Sequence, residues 1–138
     1  SGRFARFGLE GSQGLYPDQL SGGMRQRAAL LRTCLMDDPV VLMDEPFSAL
    51  DALTRQDMRA WLLDLVDAVG LTVLLVTHDV DEAVALADRI LVLRGDPAAG
   101  VPSSVAGEVD VDCPRADRAG FVLTEAALEV KRAVLALL

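Results

Sequence analysis

The chain has 138 residues, 51% of them apolar, enough for one real hydrophobic core and so for one domain or part of one. Its formal net charge of −8, with Lys131 the only lysine, argues against a surface built for nucleic acid or anionic membrane, because clustered Lys and Arg bind those partners. Cys34 and Cys113 stand in no metal-ligand or disulfide spacing and fit reduced thiols; no apolar run reaches the roughly 18 residues of a bilayer span, and the start shows no signal-peptide pattern.

Residues 1 to 20 predict a short helix over 3–8 and then a loop, with Gly8, Gly11, Gly14 and Pro17 as breakers. From Leu20 the character changes. Leu20-Ser21-Gly22-Gly23-Met24-Arg25-Gln26-Arg27 opens a helix-favouring run to Met36, stopped by Asp37-Asp38-Pro39. Ser21 is placed as its N-cap. A hydroxyl followed by two glycines at a helix start suits phosphate, although an ordinary capped helix accounts for the same residues.

The apolar run Val40-Val41-Leu42-Met43 ends at Asp44 and Glu45, and Pro46 closes it. This pattern predicts a buried strand that delivers two carboxylates to the carboxyl edge of a sheet, where open α/β sheets place ligands. Alternation along a strand would turn Asp44 and Glu45 in different directions, one toward a metal and the other toward a water. Taken alone, the pair reads first as a strand ending in solvated acids.

Met58, Trp61, Leu62, Leu65, Val66 and Val69 recur at helical spacing, so residues 54–69 predict an amphipathic helix with Trp61 in the core and Gly70 just past its end. Residues 72–77 predict a second buried strand, ending at His78. Strand, helix and strand in this order make a right-handed parallel crossover, which would bring His78, the only histidine, to the same edge as Asp44 and Glu45. Asp79 and Glu82 bracket a further helix start and carry it to about Asp88, and Ile90–Leu93 forms the third strand.

Residues 95–100 are rich in turn formers, and 101–111 alternate weakly, which predicts a small hairpin turning near Ser103, Ser104 or Gly107. Cys113 to Arg118 read as a polar loop. Leu123, Ala127, Val130, Val134 and Leu137 mark a last amphipathic helix whose apolar face needs a surface to cover.

With these motifs in order, the chain resembles the C-terminal part of an ATP-binding cassette (ABC) transporter ATPase. Leu20-Ser21-Gly22-Gly23 resembles the signature motif, Val40 to Glu45 the Walker B strand with its catalytic glutamate, Ser48-Ala49-Leu50-Asp51 the D-loop, and His78 the switch histidine. The tail from Glu108 to Asp112, with Pro114-Arg115 and the final helix, is similar to the nitrate, sulfonate and taurine importer branch. The implied fold is α/β: a partial P-loop NTPase with a mainly parallel sheet. Residues 1–38 would end the helical subdomain, 39–94 form the core, and 95–138 add the C-terminal hairpin and helix.

The lysine-bearing phosphate loop is not in this sequence, since Lys131 is followed by Arg132 in a helical run, so the chain reads as a fragment inactive alone. In the intact protein the resemblance implies ATP and Mg²⁺. Asp44 would hold the metal, Glu45 polarise the attacking water, and His78 sense the γ-phosphate. Ser21, Gly22, Gly23 and Gln26 would contact nucleotide on a second nucleotide-binding subunit of a homodimer, with Asp51 bridging the two. The assembly would sit on the cytoplasmic face of the membrane through permease subunits, with no nucleic-acid partner. An ABC-type ATPase of DNA maintenance and a non-catalytic interaction module are the alternatives. Because the Walker A strand would lie between the strand leading to His78 and the one at Ile90–Leu93, its loss predicts either direct pairing of those two or a segment-exchanged oligomer.

Overall fold

The computed structural model describes residues 4–5, 7–34 and 40–138, which fall into two compact units, Ser1–Thr77 and His78–Leu138. No described helix is long and apolar enough to cross a membrane.

The first unit holds helix α1 (Gly22–Cys34), strand β1 (Val40–Asp44), helix α2 (Ala52–Val69) and strand β2 (Thr72–Val76). Ahead of them, residues 4 and 5 are helical, 7 and 8 form a turn, and Pro17–Gln19 make a single 3-10 turn. Positions 3 and 6 of the expected first helix, and the expected end of α1 at Met36 with its Asp37–Pro39 stop, lie outside the described residues. Both ends of α2 follow from local chemistry. Asp51 caps its start through the Thr54 N–H, and Gly70 at φ 74° ends it in the left-handed conformation that a residue without Cβ enters easily.

Strands β1 and β2 pair in parallel, from Val40 opposite Thr72 to Asp44 opposite Val76, as the crossover pattern requires. Only one face of this pair is covered. Val41 is buried and Met43, Val73 and Leu75 are half-buried, whereas Val40, Leu42, Leu74 and Val76 are 47%, 73%, 56% and 52% exposed. The expectation of two fully buried strands is corrected accordingly: apolar content along a strand does not reveal whether a second layer is present.

Phe7, Leu9, Leu30, Leu31, Val41, Phe47, Met58 and Leu62 are among the buried side chains of this unit. Trp61 is only half-buried, contrary to its core assignment. Phe7 meets its ring edge-on at 5.9 Å between centroids, and the Arg27 guanidinium lies 5.1 Å from the ring centroid, so an aromatic and a cation share the indole.

The second unit holds helix α3 (Val80–Leu86), strands β3 (Arg89–Asp96) and β4 (Val101–Asp110), the short helix α4 (Arg118–Phe121) and helix α5 (Glu125–Leu137). Asp79 caps α3 through the Glu82 N–H at 3.1 Å. The partner of β3 is β4, antiparallel, from Arg89 opposite Asp110 to Asp96 opposite Val101.

The hairpin turn is therefore at Pro97–Gly100, and residues 101–110 form one continuous strand instead of turning near Ser103, Ser104 or Gly107. Asp96 accepts the Ala99 N–H at 3.2 Å ahead of a 3-10 turn opened by Pro97, and this local turn chemistry outweighs the weak alternation that suggested otherwise.

Val84, Ile90, Val92, Val111, Phe121, Ala127 and Val134 form the core here, with Val130 and Leu137 packed against it. Helix α5 thus finds the surface its apolar stripe needs within its own unit. Leu123 is the exception at 90% exposure, because it precedes the cap residue Thr124 and is not part of the helix.

The stretch expected as a polar loop contains a buried cation. Arg118 donates to the carbonyls of Ala87 at 2.7 Å, Cys113 at 3.0 Å and Val111 at 3.3 Å, and to the Asp88 carboxylate at 3.2 Å.

Candidate functional site

Asp44 is the last residue of β1 and is exposed, on the same face as Val40 and Leu42. Glu45 leaves the strand at once. Its N–H still reaches the Val76 carbonyl at 2.8 Å, but its φ is 47°, the only positive φ outside glycine among the described residues. Strand alternation therefore no longer fixes where the Glu45 carboxylate points. A turn follows, and Ser48 closes it by donating its hydroxyl to the Glu45 carbonyl at 3.0 Å.

Asp51 completes the turn and starts α2. Both carboxylate oxygens are engaged by Thr54, one by its N–H at 2.9 Å and the other by its hydroxyl at 2.6 Å. Those bonds, the hydroxyl first, hold the Asp51 carboxyl below the usual carboxylate range. Thr54 had no role in the reading of the sequence, although an Asp three residues ahead of a hydroxyl at a helix start is itself a capping signal. Arg55 adds a second clamp, donating to the Leu50 carbonyl at 2.9 Å.

Ser21 caps α1 as its sequence predicts, accepting the Met24 N–H at 3.2 Å. The first N–H groups of the helix beyond it have no intrahelical carbonyl to reach. The two glycines bring α1 close to the start of α2: a Cβ at Gly22 would stand 3.1 Å from Leu50, and one at Gly23 would stand 3.4 Å from both Thr54 and Met58. Ser21, Gly22 and Gly23 are thereby tied to the segment leading into Asp51. Gln26 and Asp44 share the wall of a shallow pocket of about 220 Å³, together with Thr33, Phe47 and Trp61.

His78 opens the second unit, exposed, one residue before the cap Asp79. Within the first unit the structure brings Asp44, Glu45 and Gln26 to the β1 end of the fold, and Ser21, Gly22 and Gly23 to the start of α2 near Asp51. His78 belongs to the other unit.

Among the described residues no three His, Cys, Asp or Glu side chains cluster as a metal cage. A single exposed carboxylate such as Asp44 nevertheless suits Mg²⁺, which keeps most of its waters and takes one or two carboxylates plus substrate phosphates.

A parallel strand ending in paired acids, followed by a capped turn and preceded by a Ser-Gly-Gly helix start, matches known sequences. Residues 4–48 match the family model described as ABC transporter. The formylaminopyrimidine import ATP-binding protein ThiZ of Halalkalibacterium halodurans is 50% identical over 97 residues, covering 70% of this chain and 39% of that protein. The sulfate/thiosulfate import ATP-binding protein CysA of Mycolicibacterium paratuberculosis is 59% identical over 87 residues, 63% of this chain and 24% of its own length. The glycine betaine transport ATP-binding protein OpuAA of Bacillus subtilis is 55% identical over 87 residues, again 63% of this chain and 21% of its own length. The matched segments are thus similar to ABC transporter ATPase sequence, with import ATP-binding proteins as homologues, and the chain folds as α/β with a parallel strand pair. The chain spans less than two fifths of the length of each of these three relatives.

Proposed function

We propose that this chain is the C-terminal part of a nucleotide-binding domain from an ABC importer, which in the intact protein hydrolyses ATP to energise solute uptake. The observation that carries the reading is the end of β1, where Asp44 closes a parallel strand and Glu45 turns out of it in a left-handed conformation. Asp44 would hold Mg²⁺ largely through coordinated water, and Glu45 would act as general base toward the attacking water. His78 would stabilise charge developing on the γ-phosphate.

Ser21, Gly22 and Gly23 would present helix-start N–H groups to nucleotide held by a second copy, with Gln26 beside them and Asp51 at the subunit boundary. Closure of that homodimer would be coupled to permease subunits, which places the protein on the cytoplasmic face of the membrane. On this reading residues 1–38 complete a helical subdomain, 39–94 belong to the catalytic core and 95–138 are a C-terminal addition.

The tail supports a nitrate, sulfonate or taurine type of solute. The relatives are named for formylaminopyrimidine, sulfate or thiosulfate, and glycine betaine, so the shared segment serves importers of different solutes. The bare face of the β1–β2 pair supports exchange of segments between copies when the chain is isolated.

The test is Glu45→Gln in the intact protein. The expected variant binds nucleotide, stops hydrolysing it and accumulates as an ATP-closed dimer. The isolated chain should release no phosphate above its own Glu45→Gln control, because its sequence carries no lysine-bearing phosphate loop. Turnover by Glu45→Gln at the wild-type rate would overturn the assignment.

A further inference from the structure

We infer that Ser48 is a positioning residue for Glu45, acting through the backbone; the inference rests on the reading of Glu45 as the general base. Glu45 sits at φ 47°, a region that residues with a Cβ other than Asn and Asp enter rarely. Hydrogen bonds on its own peptide groups hold it there. Its N–H donates to the Val76 carbonyl at 2.8 Å, and its carbonyl accepts the Ser48 N–H at 3.3 Å and the Ser48 hydroxyl at 3.0 Å.

The Ser48 N–H bond is long for an amide donor, so the hydroxyl makes the closer contact with that carbonyl. Any residue at position 48 other than proline supplies an N–H. The serine hydroxyl supplies a second donor, which alanine lacks. Without it, the peptide plane after Glu45 is tied less firmly and the backbone can relax toward extended values, carrying the carboxylate away from its place at the strand end.

Ser48 is exposed, so removing its hydroxyl leaves no cavity in the core. Phe47, between the two residues, is buried and keeps the turn seated in either case. The effect should therefore fall on the chemical step and spare nucleotide affinity, since Ser48 contributes through Glu45 and Glu45 acts on the attacking water.

The experiment is steady-state ATP hydrolysis by the intact protein carrying Ser48→Ala, Ser48→Thr or Glu45→Gln. Ser48→Ala is expected to lower kcat by about three- to tenfold, the value of one hydrogen bond, with KM for ATP unchanged to within about twofold. Ser48→Thr, which keeps the hydroxyl, should restore kcat to within about twofold of wild type. An unchanged kcat in Ser48→Ala, parallel changes in kcat and KM, or failure of Ser48→Thr to restore the rate would overturn the positioning role. Loss of turnover in Glu45→Gln together with an unaffected Ser48→Ala sinks this inference alone, whereas full turnover in Glu45→Gln sinks the reading of Glu45 beneath it.

Discussion

Arg118 donates from Nη1 to the carbonyl of Ala87 at 2.7 Å, across 31 positions of sequence. The same guanidinium also reaches the carbonyls of Cys113 and Val111, and only 1% of its side chain is exposed, so one planar fork satisfies three backbone acceptors in the second unit.

Replacing Arg118 should therefore destabilise that unit severely. Its ion pair with Asp88 carries little of the effect, because the Asp88 side chain is 58% exposed and solvent screens it. The weight lies in the carbonyls of Ala87 and Cys113, which lose the Arg118 donor, whereas the Val111 carbonyl keeps the Cys113 N–H at 2.9 Å. Arg118→Ala is expected to cost about 2 to 4 kcal/mol. Arg118→Lys should recover only a small part, since an ammonium is a point donor. Denaturant melts of both variants check this; a loss from Arg118→Ala no larger than that of an ordinary surface substitution would contradict it.

Asp88 should make the second unit acid-sensitive. Its carboxyl is held below the usual range chiefly by the Arg115 hydrogen bond at 2.8 Å, with the charges of Arg115 and Arg118 adding to it and partial burial opposing. A depressed folded pKa means that the stabilisation is fully present above the unfolded value of about 3.9 and is lost as pH falls through the folded one. Thermal midpoints measured from neutral pH downward should therefore converge for wild type and Asp88→Asn in acid, with wild type higher at neutrality. Parallel curves across the whole range would contradict the linkage.

Two glycines of the hairpin should differ in what they tolerate. A Cβ at Gly95 would come within 2.6 Å of the Ser103 Cα and 2.8 Å of the Pro102 carbonyl oxygen, both backbone atoms of β4. One at Gly107 would meet Leu137 at 2.7 Å, at the end of a flexible side chain near the chain terminus. Gly95→Ala is expected to cost about 1 to 3 kcal/mol through a forced backbone shift, and Gly107→Ala clearly less. Equal losses in equilibrium unfolding would show that the strand moves as easily as the side chain.

The bare face of the β1–β2 pair should make the isolated chain associate. Val40, Leu42, Leu74 and Val76 are exposed side by side, an apolar strip of the sort that seeks another chain. Light scattering should show species larger than a monomer, and Leu42→Lys with Leu74→Lys should shift them toward the monomer. A monomeric wild-type chain at the same concentration would remove the basis for segment exchange.

Local rules carried the sequence a long way. Ser21 and Asp79 each cap a helix by bonds that span three residues, Gly70 ends α2, and the period of Met58, Leu62 and Leu65 fixed which face of that helix is buried. Such features are legible because their partners lie within one turn of the same chain. The order of the Ser-Gly-Gly, strand and Ser48–Asp51 motifs along the chain carried the resemblance to the ABC transporter family.

What the tertiary structure decided depends on partners far away in sequence. Arg118 looked like part of a polar loop until the carbonyls of Ala87 and Val111 closed around it. Glu45 looked like the next residue of a strand, but it pairs through its N–H with Val76 and turns left-handed under Ser48. Leu42 and Leu74 are as apolar as any core residue, and they are exposed because burial belongs to the layer packed above a strand and not to the strand's own residues.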